Sequence, residues 1–449
     1  MALHQYIGAR YVPKFYENSL GTAEWEAGVI YEPLTIVTYN LNSYTSKKLV
    51  PAAVGDPSAN PSYWVATGLF NAQVAALSNR MDAAEADIDD LEMQVSWKTP
   101  EMYGAVGDGI TDDAAAFQAL FADLSPGETV VLLANKYLVN SPLTLTAHEV
   151  KFVGIGKSQQ YNTIVTNLNT GNFITINTFG VGFDSIGIEG PSYDSSGDQV
   201  LVYFDADDAV NVGNIDATFI NCLIGKTHIG IAARGRNVEV RSSLFSQCFI
   251  CFQAQQCSGA YECRGHIIQG CRIHGCGVAF DNLISSAESR KNIFVDGNLI
   301  DASGAIFRGY DAGVVITNNY VDRTTFGYTF NVIELTHDPL TTHSEPAVIQ
   351  DNVVNGAGGS GSGILINTDV YARIKGNTIA NMRYDGIAMG GTAIVIADGN
   401  LVDNCAQIAG RYNYSIAATV TGALIYNICK TGSISGGAGM TQDGNITLA

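Results

Sequence analysis

Val295-Asp-Gly-Asn-Leu-Ile300, Ile316-Thr-Asn-Asn-Tyr-Val321, Ile349-Gln-Asp-Asn-Val-Val354, Ile374-Lys-Gly-Asn-Thr-Ile379 and Ile396-Ala-Asp-Gly-Asn-Leu-Val402 are one phrase written five times. Each is an apolar residue, a short polar step ending in Asn, and a second apolar residue. Three looser copies precede them at Ile215–Ile220, Val240–Phe245 and Ile268–Ile273. The aligned asparagines Asn298, Asn319, Asn352, Asn377 and Asn400 are 21, 33, 25 and 23 residues apart. Short β-prone segments recurring at that length, with Gly and Asn at the corners, predict a β-solenoid. In such a fold each coil pairs its backbone with the coils above and below, and the stacked coils share an apolar column. Asparagines at equivalent corners are expected to stack as a side-chain ladder and to take the left-handed turn conformation. A β-sandwich would need two-residue hairpin signals, which are scarce here.

Bulk composition agrees. Of 449 residues, 46% are hydrophobic and only 15% charged, with 48 glycines, which describes a turn-rich folded β protein rather than a disordered one. The formal charge of −19 argues against a nucleic-acid binder, because phosphate contacts need clustered Lys and Arg. No apolar run reaches the length of a membrane span. The opening Met1-Ala-Leu-His-Gln-Tyr6 has no basic stretch followed by an apolar one, so no signal peptide and synthesis in a reducing cytoplasm are expected. Nine cysteines stand in no convincing metal spacing, and no metal or other cofactor is expected. Cys248 and Cys251 form a lone CxxC. Cys271 occupies a repeat corner, while Cys222, Cys248, Cys276 and Cys405 fall just past repeat pieces, which suits small buried thiols in a solenoid.

Residues 1–69 differ from the rest. Eleven aromatics fall between Tyr6 and Phe70, among β-prone runs broken by prolines, and predict a small β module. The order Trp25, Gly28, Tyr31, Val37, Tyr39, Tyr44, then Gly55-Asp-Pro57 and Tyr63-Trp64, resembles small chitin-binding-type modules. That resemblance implies a sugar-stacking face on Trp25, Tyr44 and Trp64. The same rings equally suit the core of a tiny domain, or a module that docks on a larger particle. Residues 70–98 carry apolar residues at Phe70, Val74, Leu77, Met81, Ala84, Ile88, Leu91 and Val95. That 4-3 alternation is a strict heptad seam, so a coiled coil and an oligomer are expected.

Then comes Tyr103-Gly-Ala-Val-Gly-Asp-Gly-Ile-Thr-Asp-Asp113, ahead of the apolar Ala114–Asp123. Thr111 is the expected N-cap of a helix over 112–123. The motif resembles the opening of the pectate-lyase-like right-handed β-helices, a superfamily that includes many tailspikes and appendages of tailed phages. The resemblance implies an all-β, right-handed parallel β-helix over 99–410, closed at its start by that helix, with a C-terminal β cap or trimer-contact region at 411–449. It also implies a homotrimeric virion appendage, attached to virion structural proteins through the N-terminal module, that recognises host surface polysaccharide. A depolymerase of that glycan and a purely structural decoration protein are the alternatives.

If the chain is an enzyme, it is expected to be a glycoside hydrolase or polysaccharide lyase. Glycan hydrolysis needs two carboxylates across the bond. The longest asparagine interval holds the span 333–345, where Glu334 and Asp338 or Glu345 are the candidate acid/base pair, with His337 and His343 beside them. Asp205, Asp207, Asp208 and Asp216 offer calcium-type oxygens but match no calcium-binding spacing. Glu288-Ser-Arg-Lys291 would suit a lyase base and clamp, or an ordinary charged turn.

Overall fold

The computed structural model describes residues 13–40, 42–68, 80–81, 97–155, 162–205, 213–255, 264–282, 292–310, 313–323, 329–337, 346–356, 360–436 and 438–448. The chain divides into two compact units, Met1–Ser96 and Trp97–Ala449.

The first unit holds a four-stranded sheet of Lys14–Phe15, Thr35–Tyr39, Asn42–Ser46 and Trp64–Gly68. Its small core is built from Tyr31, Val37, Val50 and Trp64, with Tyr16, Trp25 and Tyr44 packed around it. Tyr31 meets both Tyr16 and Trp64 edge-to-face, at ring separations of 5.0 and 5.2 Å. A domain this small reaches adequate burial only with large side chains, and the aromatic surplus supplies them. The expected coiled coil lies almost wholly outside the described residues. Of its span, Arg80 and Met81 are helical, and Trp97–Lys98 is already a strand of the second unit.

The second unit is a parallel β-helix. A typical coil has a first strand, Ile293–Asp296, a second, Leu299–Asp301, and a third, Ala305–Tyr310. Each pairs in parallel with its counterpart in the next coil: Val314–Thr317, Tyr320–Asp322 and Ile333–Thr336. First strands alone make a sheet of fourteen, running from Trp97–Lys98 to Met440–Asp443. At the usual strand spacing that stack is about 60 Å long. The register repeats the sequence period: inward Val295, Ile316, Ile349, Ile374 and Ala397 stack in one column and are all fully buried. Rings stack in the same way, Phe152 on Phe183 on Phe219 and Phe252 on Phe280 on Phe307.

The asparagine ladder is present and longer than the repeat predicts. Asn298, Asn319, Asn352, Asn377, Asn400 and Asn427 are buried, and each Nδ2 donates to the Oδ1 of the next, at 2.9 Å in the first five steps and 3.1 Å in the last, to Asn445. The left-handed conformation belongs to the residue before each ladder position: Gly297, Asn318, Asp351, Gly376, Gly399, Tyr426 and Gly444 have φ between 52° and 65°. The turn is made one residue early because the ladder Asn must point its carboxamide inward.

Three boundaries differ from expectation. The coils begin at Trp97, and they run past 410 to Leu448, with Thr421–Ile425, Ile428–Lys430, Ile434–Gly436, Met440–Asp443 and Ile446–Leu448 paired as further coils. Among the described residues no separate cap is present; ladder intervals of 27 and then 18 residues, with a Gly-Ser-Thr-rich stretch between the last two, hid the repeat. The helix Ala114–Asp123 is present and buries Phe117, Leu120 and Phe121 against the solenoid core. Its N-cap position is Asp113 rather than Thr111, which lies in the strand Asp108–Asp112 and donates to Asp108. Among the described residues no helix is long and apolar enough to cross a membrane.

Candidate functional site

The described cysteines Cys222, Cys248, Cys251, Cys271, Cys276, Cys405 and Cys429 are free and buried. Burial pushes the thiols of Cys222 and Cys405 up to about 12 and that of Cys271 to about 11, which makes them inert nucleophiles. Cys271 and Cys222 sit on the asparagine column and extend it: their backbone N–H groups donate to Asn298 Oδ1 at 2.9 Å and Ser243 Oγ at 3.0 Å.

Acids of the opening motif are consumed by structure. Asp113 accepts the N–H groups of Val106 at 2.7 Å and Gly107 at 3.2 Å, and Asp112 those of Ala114 and Asn140, both at 3.1 Å. Asp123 accepts from Tyr103 and Lys98. Elsewhere Asp205 pairs with Arg234 at 3.4 Å, and Asp216 accepts from Asn237 at 2.8 Å. Asp207, Asp208 and the segment 288–291 lie outside the described residues. Among the described residues no group of three His, Cys, Asp or Glu is placed to hold a metal ion.

In the N-terminal unit Trp64 is 1% exposed. Its indole is the centre of the module's core and has no face left for a sugar ring, which corrects its expected stacking role. Trp25 and Tyr44 are half-buried, Trp25 meeting Tyr39 edge-to-face at 5.4 Å.

The outer side of the third strands carries a different arrangement. His228, in the continuous strand Leu223–Arg234, faces Phe249, in Leu244–Ala254, because Thr227 pairs with Cys248 and Ile229 with Ile250. The two rings stack at 5.0 Å and 26°, and His228 Nδ1 lies 2.8 Å from the carbonyl of Asp194. Tyr193, 37% exposed, meets the edge of Phe249 at 6.5 Å, and Phe330 lies 6.1 Å beyond it. Two glycines form the floor. A Cβ on Gly277 would lie 3.0 Å from the Phe249 ring, and one on Gly304 2.9 Å from the Phe330 ring. At both positions the tightest contact of such a Cβ would be the neighbouring strand's backbone carbonyl, that of Phe249 or of Gly277, so a side chain would displace the strand as well as the ring.

Beside this aromatic shelf runs a registered row of outward residues, Gln253, Asp281, Arg308 and Glu334, one per coil. Arg308 Nε and Nη2 donate to the two oxygens of Asp281 at 3.2 and 2.9 Å, and its guanidinium lies 5.8 Å from the Phe330 centroid. Glu334 is half-buried, and its Oε2 accepts from Asn331 Nδ2 at 2.9 Å. Two strand steps separate Asp281 from Glu334, roughly 9.5 Å between backbones. Asp338 and Glu345, the expected partners of Glu334, lie outside the described residues.

A second polar group sits on the second strands. Asp301 accepts from His274 Nδ1 at 2.6 Å and Arg272 Nη2 at 2.9 Å. Burial raises the Asp301 carboxyl's pKa, but these two donors outweigh it and hold the group below its ordinary value. Neither this group nor the shelf is visible as a motif, since their residues come from separate coils. Paired glycines at 277 and 304, one coil apart beside large rings, are the trace the shelf leaves in the sequence.

Fold and shelf together define a class: parallel β-solenoids that present a line of side chains from successive coils on an outer face. No protein-family model matches the chain, and no curated protein does. Solved structures of similar form include the A-module of the Azotobacter vinelandii mannuronan C-5 epimerase AlgE4, at 15% identity over 79% of this chain and 100% of that one, with TM-score 0.48. A tailspike protein double mutant of E. coli bacteriophage HK620 is similar at 11% identity over 81% of this chain and 79% of that one, TM-score 0.49. The catalytic unit of a GH87 alpha-1,3-glucanase from Streptomyces thermodiastaticus is similar at 15% identity over 77% and 68%, TM-score 0.47.

Proposed function

We propose that this chain is a glycan-recognising appendage of a tailed-phage virion: a homotrimer whose right-handed β-helix meets host surface polysaccharide and whose N-terminal module contacts the virion. The observation that carries the glycan reading is the aromatic shelf of Tyr193, His228, Phe249 and Phe330. Aromatic faces and edges suit the C–H faces of sugar rings, and Arg308, Gln253 and Glu334 beside them suit hydroxyl groups. Phe249 packs on the small buried cluster of Val200, Ile229, Ala232 and Ile250, and the partly exposed rings of Tyr193, His228 and Phe330 gather around it. The virion role draws on the resemblance of residues 103–113, and the oligomer on the heptad seam.

Retention on envelope polysaccharide tests this reading, measured as mobility in gels cast with the glycan. Phe249→Ala and Phe330→Ala are each expected to weaken retention about tenfold, the equivalent of roughly 1.4 kcal/mol for one lost stacking partner. Light scattering of the full chain is expected to give the mass of three copies. Retention unchanged in both variants would remove the shelf from the function.

Depolymerisation is a second reading, favoured by the alignment of Asp281 and Glu334 on either side of Arg308. Glu334 is the half-buried member of this pair, while Asp281, 4% exposed, is held by Arg308. Fragment release by the parent but not by Glu334→Gln would establish it. Intact glycan throughout would leave binding alone, and neither binding nor cleavage would favour a purely structural part.

A further inference from the structure

We infer that the shelf takes an uncharged glycan in preference to a polyanionic one, an inference that rests on the shelf being the glycan-docking face. Lys226, Arg234 and Arg308 are the Lys and Arg residues carried by the third strands that build it, from Val200–Asp205 through Ile333–Thr336. Each already holds a carboxylate: Lys226 with Glu189 at 3.1 Å, Arg234 with Asp205 at 3.4 Å, and Arg308 with Asp281. Recognition of uronate or phosphate groups uses a guanidinium or ammonium whose donors are open to the incoming oxygens.

Arg308 lies 5.8 Å from the Phe330 centroid, and two of its donors are already engaged. Its Nε and Nη2 are fixed on Asp281, whose side chain is 4% exposed. A glycan carboxylate that captured Arg308 would strand the Asp281 anion in a buried site, which is the costly way to break an ion pair. The remaining Arg308 donors, the Gln253 amide and Glu334 still suit neutral hydroxyls. A net charge of −19 adds long-range repulsion toward a polyanion.

The test is an array of immobilised bacterial polysaccharides, uncharged ones beside uronate- and phosphate-bearing ones, probed with the full chain at low and high salt. The expected result is binding to uncharged glycans that salt does not weaken. A Glu189→Gln variant, which frees the half-exposed Lys226, is expected to gain several-fold, salt-sensitive binding to the anionic set. Salt-sensitive preference of the parent for anionic glycans would overturn the inference and leave the glycan reading standing. Binding to neither set would sink that reading, and the inference with it.

Discussion

Asn352 uses every group its side chain has. Its Nδ2 donates to the Ile316 carbonyl and to Asn377 Oδ1, both at 2.9 Å, while its Oδ1 accepts the backbone N–H of Asn319 at 3.1 Å and Asn319 Nδ2 at 2.9 Å. Replacement by Leu would keep the volume and take a hydrogen bond from four buried polar groups, leaving the Asn319 backbone N–H without its side-chain acceptor while Asn377 Oδ1 keeps the residue-352 N–H and Asn319 Nδ2 keeps the Val295 carbonyl. At about 1–3 kcal/mol for each group left unsatisfied, a loss of about 2–4 kcal/mol is expected, read as a lower denaturation midpoint. Asn352→Asp should be no better, since the carboxylate faces the carbonyls that the amide satisfied. His266 makes a second residue-scale prediction. It is fully buried beside the stacked rings of Phe252 and Phe280, and burial pushes its pKa down to about 4, a backbone hydrogen bond offsetting part of the shift. Above about pH 6.5 the imidazole is neutral folded or unfolded and stability is full. As pH falls from 6.5 to 4 only the unfolded chain gains the proton, so stability should drop, on the order of 3 kcal/mol in total. Depressed carboxyls such as Asp108 and Asp403 act in the lower window, below their unfolded values near 4. The slope of the unfolding free energy between pH 6.5 and 4 should therefore flatten in His266→Phe. Five ladder asparagines are legible from the repeat, because their neighbours alternate as strands do. Asn427 and Asn445 belong to the same column and stand in the same local setting, Ile425-Tyr-Asn-Ile428 and Asp443-Gly-Asn-Ile446, but the last interval shrinks to 18 residues and the Gly-Ser-Thr-rich stretch between them masks the period. His266 leaves no trace at all, because the two rings beside it come from other coils.

Among elements, the opening motif reads correctly as architecture and incorrectly in its details. The spacing of Gly and Asp predicts a turn and then a helix, and both are present. It does not reveal that Asp113 reaches backwards to the Val106 and Gly107 N–H groups instead of capping forwards. That reversed grip holds a loop whose Gly107 has φ 67° and lies so close to the next coil that a Cβ would sit 2.2 Å from Ala134 Cβ. Loop and helix then close the solenoid over Phe117 and Phe121. Asp113→Ala should therefore act on the element rather than the whole: about 1–2 kcal/mol for two part-buried hydrogen bonds lost, concentrated at the cap. Amide exchange should accelerate over residues 104–123 and stay unchanged in the coils beyond Asn298. Uniform acceleration along the chain would mean that the cap and the coils unfold as one unit. The candidate site divides in the same manner. Glu334 could be chosen from sequence because the interval around it is long, whereas the shelf could not, since 137 residues separate Tyr193 from Phe330.

At the scale of the whole unit, contacts run between neighbouring coils, so stability is close to a sum of coil terms and interfaces. The C-terminal end is where this has a sharp consequence. If residues 411–448 formed a detachable cap, removing them would leave the preceding coils much as they are. They are instead coils in their own right: Thr421–Ile425 pairs with Ile394–Asp398, and Ile428–Lys430 with Leu401–Asp403. Asn427 supplies the Oδ1 that satisfies the Asn400 backbone N–H and Nδ2 at 3.1 and 2.9 Å. A chain ending at residue 410 would expose the open edges of the first and second strands and leave Asn400 unsatisfied. It would also uncover the fully buried Val395 and Val402. Open parallel edges beside apolar surface are templates for further strand addition. The shortened chain is therefore expected to form heterogeneous, concentration-dependent assemblies in sedimentation velocity where the full chain gives one species. Because the damage is confined to the last coils, glycan binding on the shelf, which ends at Ile333–Thr336 with the third strands Ile364–Ile366 and Ile387–Met389 still beyond it, should survive in whatever fraction stays dispersed. A shortened chain that sediments as one species would instead mean that the coil at Ile394–Asp398 can serve as an end without a cover.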